Sequence, residues 1–237
     1  MMASLDLCTF VFWLTTLATF AFFMIVLKNA GEETVKRNTL KIASLLMLWL
    51  ILQAILTIQN VYSNDINSLP PKILIFGILP PVLTICILFI TKGGRKFIDS
   101  LPLKQITYLH MIRIPVEIVL YGLFISKMIP ELMTFEGRNF DIIAGITAPL
   151  IAYYGFSRKM LSRKIILIWN FICLGLLINI IVNAFLSAPS PLQKFAFDQP
   201  NIAILHFPFS WLPTFIVPIV LFGHLVAIRQ LLKKQPL

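Results

Sequence analysis

Charge is scarce in this chain. Asp, Glu, Lys and Arg make up 13% of 237 residues, against 58% for the hydrophobic set, about half the charged share usual in a soluble domain. A water-soluble fold of this size has no way to hide so much apolar surface, so the solvent is lipid and the fold class is an all-helical polytopic membrane protein. Cysteine is nearly missing too. Cys8, Cys86 and Cys173 stand singly inside apolar segments with no CxxC pair, which excludes a disulfide framework and leaves each as a small buried hydrophobe. There are three histidines and no HExxH, HxxxH or DxD pattern, so the residues of a zinc-dependent hydrolase are not supplied. No lysine precedes Lys233 in the last apolar run, which excludes a retinal Schiff base. No basic stretch precedes the first apolar run, and Leu5-Asp6-Leu7-Cys8 lacks the small residue of a lipoprotein cleavage site. That run is too long for a signal sequence and reads as a retained helix. Internal repeats are not evident, which disfavours an inverted-repeat transporter.

What the chain has is long apolar runs. Seven reach the length needed to cross about 30 Å of hydrocarbon at about 1.5 Å per residue. They lie at about 7–27, 40–61, 72–91, 106–128, 141–157, 165–187 and 209–231, the fifth being the shortest. Basic residues orient them. Lys28, Lys36, Arg37 and Lys41, then Lys92, Arg95, Lys96 and Lys104, then Arg158, Lys159, Arg163 and Lys164, and finally Arg229, Lys233 and Lys234 fall on one side. The other side holds only Lys72, Lys127, Arg138 and Lys194. The positive-inside rule places the basic side in the cytoplasm, with the N-terminus outside and the C-terminus inside. It also accounts for the net charge of +10 by headgroup-facing loops, so no nucleic acid is expected as a partner. Short loops and compact size suit a bacterial inner (cytoplasmic) membrane.

Prolines punctuate the spans: Pro80-Pro81, Pro115, Pro149, Pro213 and Pro218. Each removes a backbone donor, and the carbonyl it frees at membrane depth needs a donor from a neighbouring helix or water. The outer segment 189–208 is too apolar for a free loop and too broken by proline for a span. It reads as an interfacial or re-entrant lid packed on protein, with Trp211 in an aromatic belt. Glu136, Asp141, Asp198 and His206 also fall on the outer face; for Glu136 and Asp141, beside a helix start, capping is the expected role, with Asn139 or Asp141 as the cap.

One span departs from the apolar pattern. Gln105 to Met128 carries His110, Arg113, Pro115 and Glu117. Charge in hydrocarbon costs from about 2.5 to above 10 kcal/mol, so such groups face a protein interior or a wet cavity. Offsets of three and four put His110, Arg113 and Glu117 on one helical stripe. They lie at depths of about 7, 12 and 18 Å from the cytoplasmic end. Asn170 in the sixth span and His224 in the seventh come to roughly 9 Å, the level of the histidine and arginine. Gln53 lies nearer Glu117, and Asn179 and Asn183 extend a polar line outward.

The leading expectation is a polar pocket among spans four, six and seven that binds or transports a small polar or anionic molecule. Arg113 is its anchor. Glu117 is the counter-ion or coupling group, and His110, Asn170 and His224 complete the lining. A purely structural reading pairs Arg113 with Glu117 and Asn170. A second functional reading makes His110 and His224 the axial ligands of a haem, or metal ligands, in an intramembrane enzyme or redox protein. A third is a structural subunit whose cluster meets a partner helix or a second copy.

Overall fold

The computed structural model describes residues 2–233; Lys234, counted above with the basic C-terminal end, lies outside them. Every regular element among the described residues is helical. The chain forms α1 (Met2–Lys28), α2 (Glu33–Arg37), α3 (Thr39–Ile58), α4 (Leu79–Ile90), α5 (Lys92–Ser100), α6 (Leu103–Leu109), α7 (Arg113–Ile125), α8 (Asp141–Ala152), α9 (Arg163–Ser187) and α10 (Val217–Leu232). Five helical stretches are long and apolar enough to cross a membrane: Leu5–Lys28, Thr39–Ile58, Leu103–Ile125, Arg163–Ser187 and Leu212–Leu232. A sixth follows if Leu74–Ile90 and Lys92–Ser100, bent by 94°, count as one span. The stretch read as the fifth span is helical too, as the 12 residues of α8 followed by the five-residue π turn Tyr153–Ser157.

α10 is the centre of the bundle. Pro218, Phe222, His224, Val226 and Leu231 are all buried, on every side of the helix, the pattern of a helix enclosed by others. It packs on α9, α6, α4 and α5. α1 lies along α6 and α7, α8 joins α7 to α9, and α3 stands at the edge.

Three π turns mark the proline-bearing spans: Leu74–Ile78, Tyr153–Ser157 and Leu212–Ile216. Two of the freed carbonyls find donors on α3. Phe76, four residues before Pro80, accepts from Gln53 Nε2 at 3.1 Å, and Thr214, four before Pro218, accepts from Trp49 Nε1 at 2.9 Å. Gln53 Oε1 takes the Tyr62 hydroxyl at 2.6 Å. Burial pushes that hydroxyl up to about 12, against the opposing pull of the Gln53 bond. Gln53 therefore holds helices together rather than extending a pocket toward Glu117.

The basic stretch 92–104, expected as a loop, contains a helix. α5 turns away from α4, with Lys92 and Lys96 exposed and Ile98 buried. The turn is tight: Gly94 donates to Thr91 Oγ1 at 3.1 Å, and a Cβ on Gly94 would fall 2.3 Å from the Leu88 carbonyl oxygen. α5 is tied to the end of α10 by Asp99, which receives Arg229 at 3.0 and 3.2 Å and also pairs with Lys233. Burial raises the Asp99 carboxyl, but the Arg229 and Lys233 bonds outweigh it and hold the group below its ordinary value.

The segment 189–208 packs back on the protein. Asn201 N donates to Ser187 O at 2.8 Å, and Ile202 N and Ala203 N both reach Met128 O. Gln199 Nε2 bonds Phe124 O and Ile129 O at 3.1 and 2.6 Å. The segment thereby supplies donors to the carbonyls at and just beyond the end of α7. Trp211 is not at a surface belt. It is buried, edge-on to Trp13 at 4.7 Å, and donates to Leu50 O at 3.0 Å.

Candidate functional site

The charged stripe sits where its helix changes pitch. Pro115 has no N–H for the Met111 carbonyl, and the chain tightens into a 3-10 turn over His110–Ile112 between α6 and α7. His110, Arg113 and Glu117 are all buried there. Opposite them α8 begins. Gly145 lets α8 lie close: a Cβ there would be 2.9 Å from Ile114 Cγ1, 3.1 Å from Ile114 N and 3.3 Å from Arg113 Cβ.

Arg113 does not pair with Glu117. Its Nε lies 3.2 Å from Asp141 Oδ2 in a buried ion pair, although the N–H is not aligned on that oxygen. Its terminal nitrogens reach Cys173 O at 3.5 and 3.4 Å, at the outer limit of a hydrogen bond. Asp141, expected as a capping residue, is thus the counter-ion. Glu117 is held instead by Asn139, whose Nδ2 donates to both carboxyl oxygens at 2.7 and 2.8 Å and to Met133 O at 3.0 Å. Asn139 Oδ1 accepts Asp141 N at 3.0 Å, so the expected cap also bridges the two acids. Asp141 Oδ1 is buried with no partner. The cluster therefore holds one guanidinium and two carboxyls.

His110, His224 and Asn170 do meet, as their depths predict. His224 Nδ1 and Asn170 Oδ1 are 3.0 Å apart, and Asn170 Nδ2 donates to Ile166 O at 2.9 Å. The imidazoles stack face to face, with centroids 3.8 Å apart and planes at 16°. Trp169 lies about equally far from both rings, at 5.8 and 5.9 Å, more nearly edge-on to His110. That stacking does not fit haem. Axial ligands each point a nitrogen at the iron from opposite faces of a porphyrin, and rings in mutual contact leave no room for one between them. Nor do three or more His, Cys, Asp or Glu side chains converge as a metal site among the described residues. Asn179 is exposed and donates to Arg138 O at 2.8 Å, and Asn183 reaches Asn179 Oδ1 at 3.3 Å. They pin the turn before α8 rather than line a path.

Beside the acids lies a cavity of about 510 Å³ between α4, α7, α9 and α10, under the outer segment. Val82, Leu120, Leu177, Ile181 and Leu221 are among its walls. Glu117 and Asp141 are its inner polar groups, and Asp65, Lys72 and Ser190 its rim. Of the five residues expected to bind a ligand, only Glu117 lines it. Arg113 lies behind Asp141, and the histidine pair with Asn170 forms a separate buried cluster. Asp141 and Asn139 were missed as site residues because they precede or open the next helix, where acid and amide side chains ordinarily cap. The one available signal was that Arg113 requires a counter-charge.

An all-helical protein with several membrane-length apolar helices and a buried acid–guanidinium cluster beside an apolar cavity is the class the coordinates define. The family model described as Domain of unknown function (DUF8737) matches residues 70–232. That is more than half of the chain, and the chain belongs to this family. The matched stretch contains Arg113, Glu117, Asn139 and Asp141, while α1 and α3 precede it. No curated protein and no solved structure matches the chain.

Proposed function

We propose that this chain is an integral membrane protein that binds a small molecule in the cavity between α4, α7, α9 and α10, as a carrier or transporter does. One observation carries the reading: an apolar space of about 510 Å³, within the usual range of ligand sites, about 300–1,000 Å³, reaches two buried carboxyls at membrane depth. Buried ionisable groups in lipid are costly and mark ligand or ion paths. Glu117 and Asp141 are the polar contacts, and Arg113 is the fixed charge that holds Asp141 in place. The anchor thus shifts from the arginine to the acids it supports.

The same proposal places seven spans in a bacterial inner membrane, with the N-terminus outside. The asymmetry of basic residues supports the orientation. The helical stretch from Asp141 through Ser157, at the short end of what crosses hydrocarbon, supports the fifth of the seven.

The test is thermal unfolding of the purified protein in maltoside detergent with three probes of equal chain length, decylamine, decanol and decanoate, each below its micelle concentration. At least one is expected to raise the midpoint, and Leu221→Trp, which fills the cavity, is expected to cancel the rise. The proposal fails if no probe shifts the wild-type protein, or if Leu221→Trp responds as wild type does.

A further inference from the structure

Resting on that reading of the cavity, we infer that its ligand is a cationic amphiphile, an amine with a hydrocarbon body, whose ammonium group meets Glu117 and Asp141. The polar atoms at the inner end are all acceptors. Both Glu117 oxygens face a single nitrogen, Asn139 Nδ2, which also serves Met133 O, so no donor is left over. Asp141 Oδ1 has no partner, in a side chain that is 7% exposed. The only cation beside the acids is Arg113, which faces Asp141 and Cys173 O rather than the cavity. Two carboxyls therefore share one guanidinium; both line the cavity, and the guanidinium does not. An ammonium group brings three donors and one positive charge.

Other ligand classes fit less well. An anion adds to the excess of acid at the inner end, and the one lysine of the lining, Lys72, is at the rim and paired with Asp65 at 3.4 Å. A bare Ca²⁺ or Mg²⁺ requires about six or more oxygen ligands, and no third His, Cys, Asp or Glu joins these carboxyls in a metal-type group among the described residues. A wholly apolar molecule fills the walls but leaves Asp141 Oδ1 buried without a donor, which a dry site disfavours. The walls call for a hydrocarbon body of some length. Along α9 the lining runs from Leu177 to Leu186, a rise of about 14 Å, before the exposed rim of Asp65 and Lys72. α4 and α9 both lie against α10 and flank the cavity, so the body is held between two helices that also face lipid.

The same three probes decide the matter, with N-decylacetamide added as a decylamine without its charge. Decylamine is expected to bind at least about tenfold more tightly than decanol, decanoate or N-decylacetamide, a gap of ~1.4 kcal/mol, and Glu117→Gln is expected to erase the preference. Asp141→Asn strands Arg113 and is the variant more prone to misfold, so the comparison with N-decylacetamide, which alters only the probe, stands in for it. Equal affinity for all probes, cancelled by Leu221→Trp, overturns the amine assignment and leaves the cavity a binding site. Preference for decanoate also overturns it, in favour of a ligand held by Arg113. Binding of none overturns this inference and the reading beneath it together.

Discussion

A proline inside a membrane helix strands a carbonyl four residues back, and in this protein one residue type does not answer for all of them. Gln53 reaches Phe76 and Trp49 reaches Thr214, both from α3. These bonds account for a glutamine buried in a helix that is mostly exposed on the surface of the bundle. Interhelical side-chain bonds in membranes average about 0.6 kcal/mol, whereas a buried acceptor left unmet costs about 1–3 kcal/mol. Gln53→Leu removes donors and acceptors at once, from the Phe76 carbonyl and the Tyr62 hydroxyl, so a loss in the upper range is expected. In a Pro80→Ala background the new N–H serves Phe76, and the same substitution should cost measurably less. Thermal midpoints of the four proteins in this double-mutant cycle give the coupling; independent, additive losses would break the link between Gln53 and Pro80. Part of this was legible from residues alone, since each proline names the carbonyl it frees. The donor was not, because nothing in a sequence says which neighbouring helix stands opposite. The same limit hid the partner of Arg113. Depth counted along one helix finds Glu117, but Asp141 is brought in by the approach of α8, which Gly145 permits.

Among the elements, long apolar helices are read readily, since a run of about 20 residues has few alternatives in lipid. Short and bent pieces are not. The basic stretch from Lys92 resembled a loop because its charge is high, yet it is a helix with one buried face, and the corner before it depends on a single residue. Gly94 sits against the Leu88 carbonyl, where a Cβ would meet backbone at 2.3 Å, while Gly93 beside it has nothing within 4 Å. Backbone cannot step aside as a side-chain tip can. Gly94→Ala is therefore expected to open the corner, loosening the Asp99–Arg229 contact between α5 and α10 and lowering stability by about 1–3 kcal/mol, as overpacking does. Gly93→Ala should be neutral, or slightly stabilising through helix propensity. Unfolding midpoints of the pair, with protease cleavage after Arg95 as a local reporter, separate a corner effect from a general one. Equal behaviour of the two variants would remove the argument from Gly94.

For the whole molecule, the decisive element is α8. Without a crossing at Asp141–Ser157, the turn before it and the basic loop after it lie on the same face of the membrane, and the asymmetry of Lys and Arg across the chain loses its meaning. With it, Glu136 and Lys194 are outside while Arg95 and Lys159 are inside. The helix is short for a span, but it packs on both α7 and α9, and a short helix is accommodated by local thinning or by its neighbours at fractions of a kcal/mol per Å. Its charged end is also not left in lipid, because Arg113 and Asn139 take up Asp141 from within the protein. Introduced cysteines test this directly, in a background whose exposed native thiol, Cys86, is replaced by Ser and whose Cys8 and Cys173 are buried. In intact cells a membrane-impermeant maleimide is expected to label Glu136→Cys and Lys194→Cys, and to label Arg95→Cys and Lys159→Cys only after permeabilisation. Labelling of Lys159→Cys from outside, with Glu136→Cys also labelled, would show that α8 turns back without crossing. The cavity would then open beside a re-entrant helix, and its acids would sit nearer the outer surface than the helix rise implies.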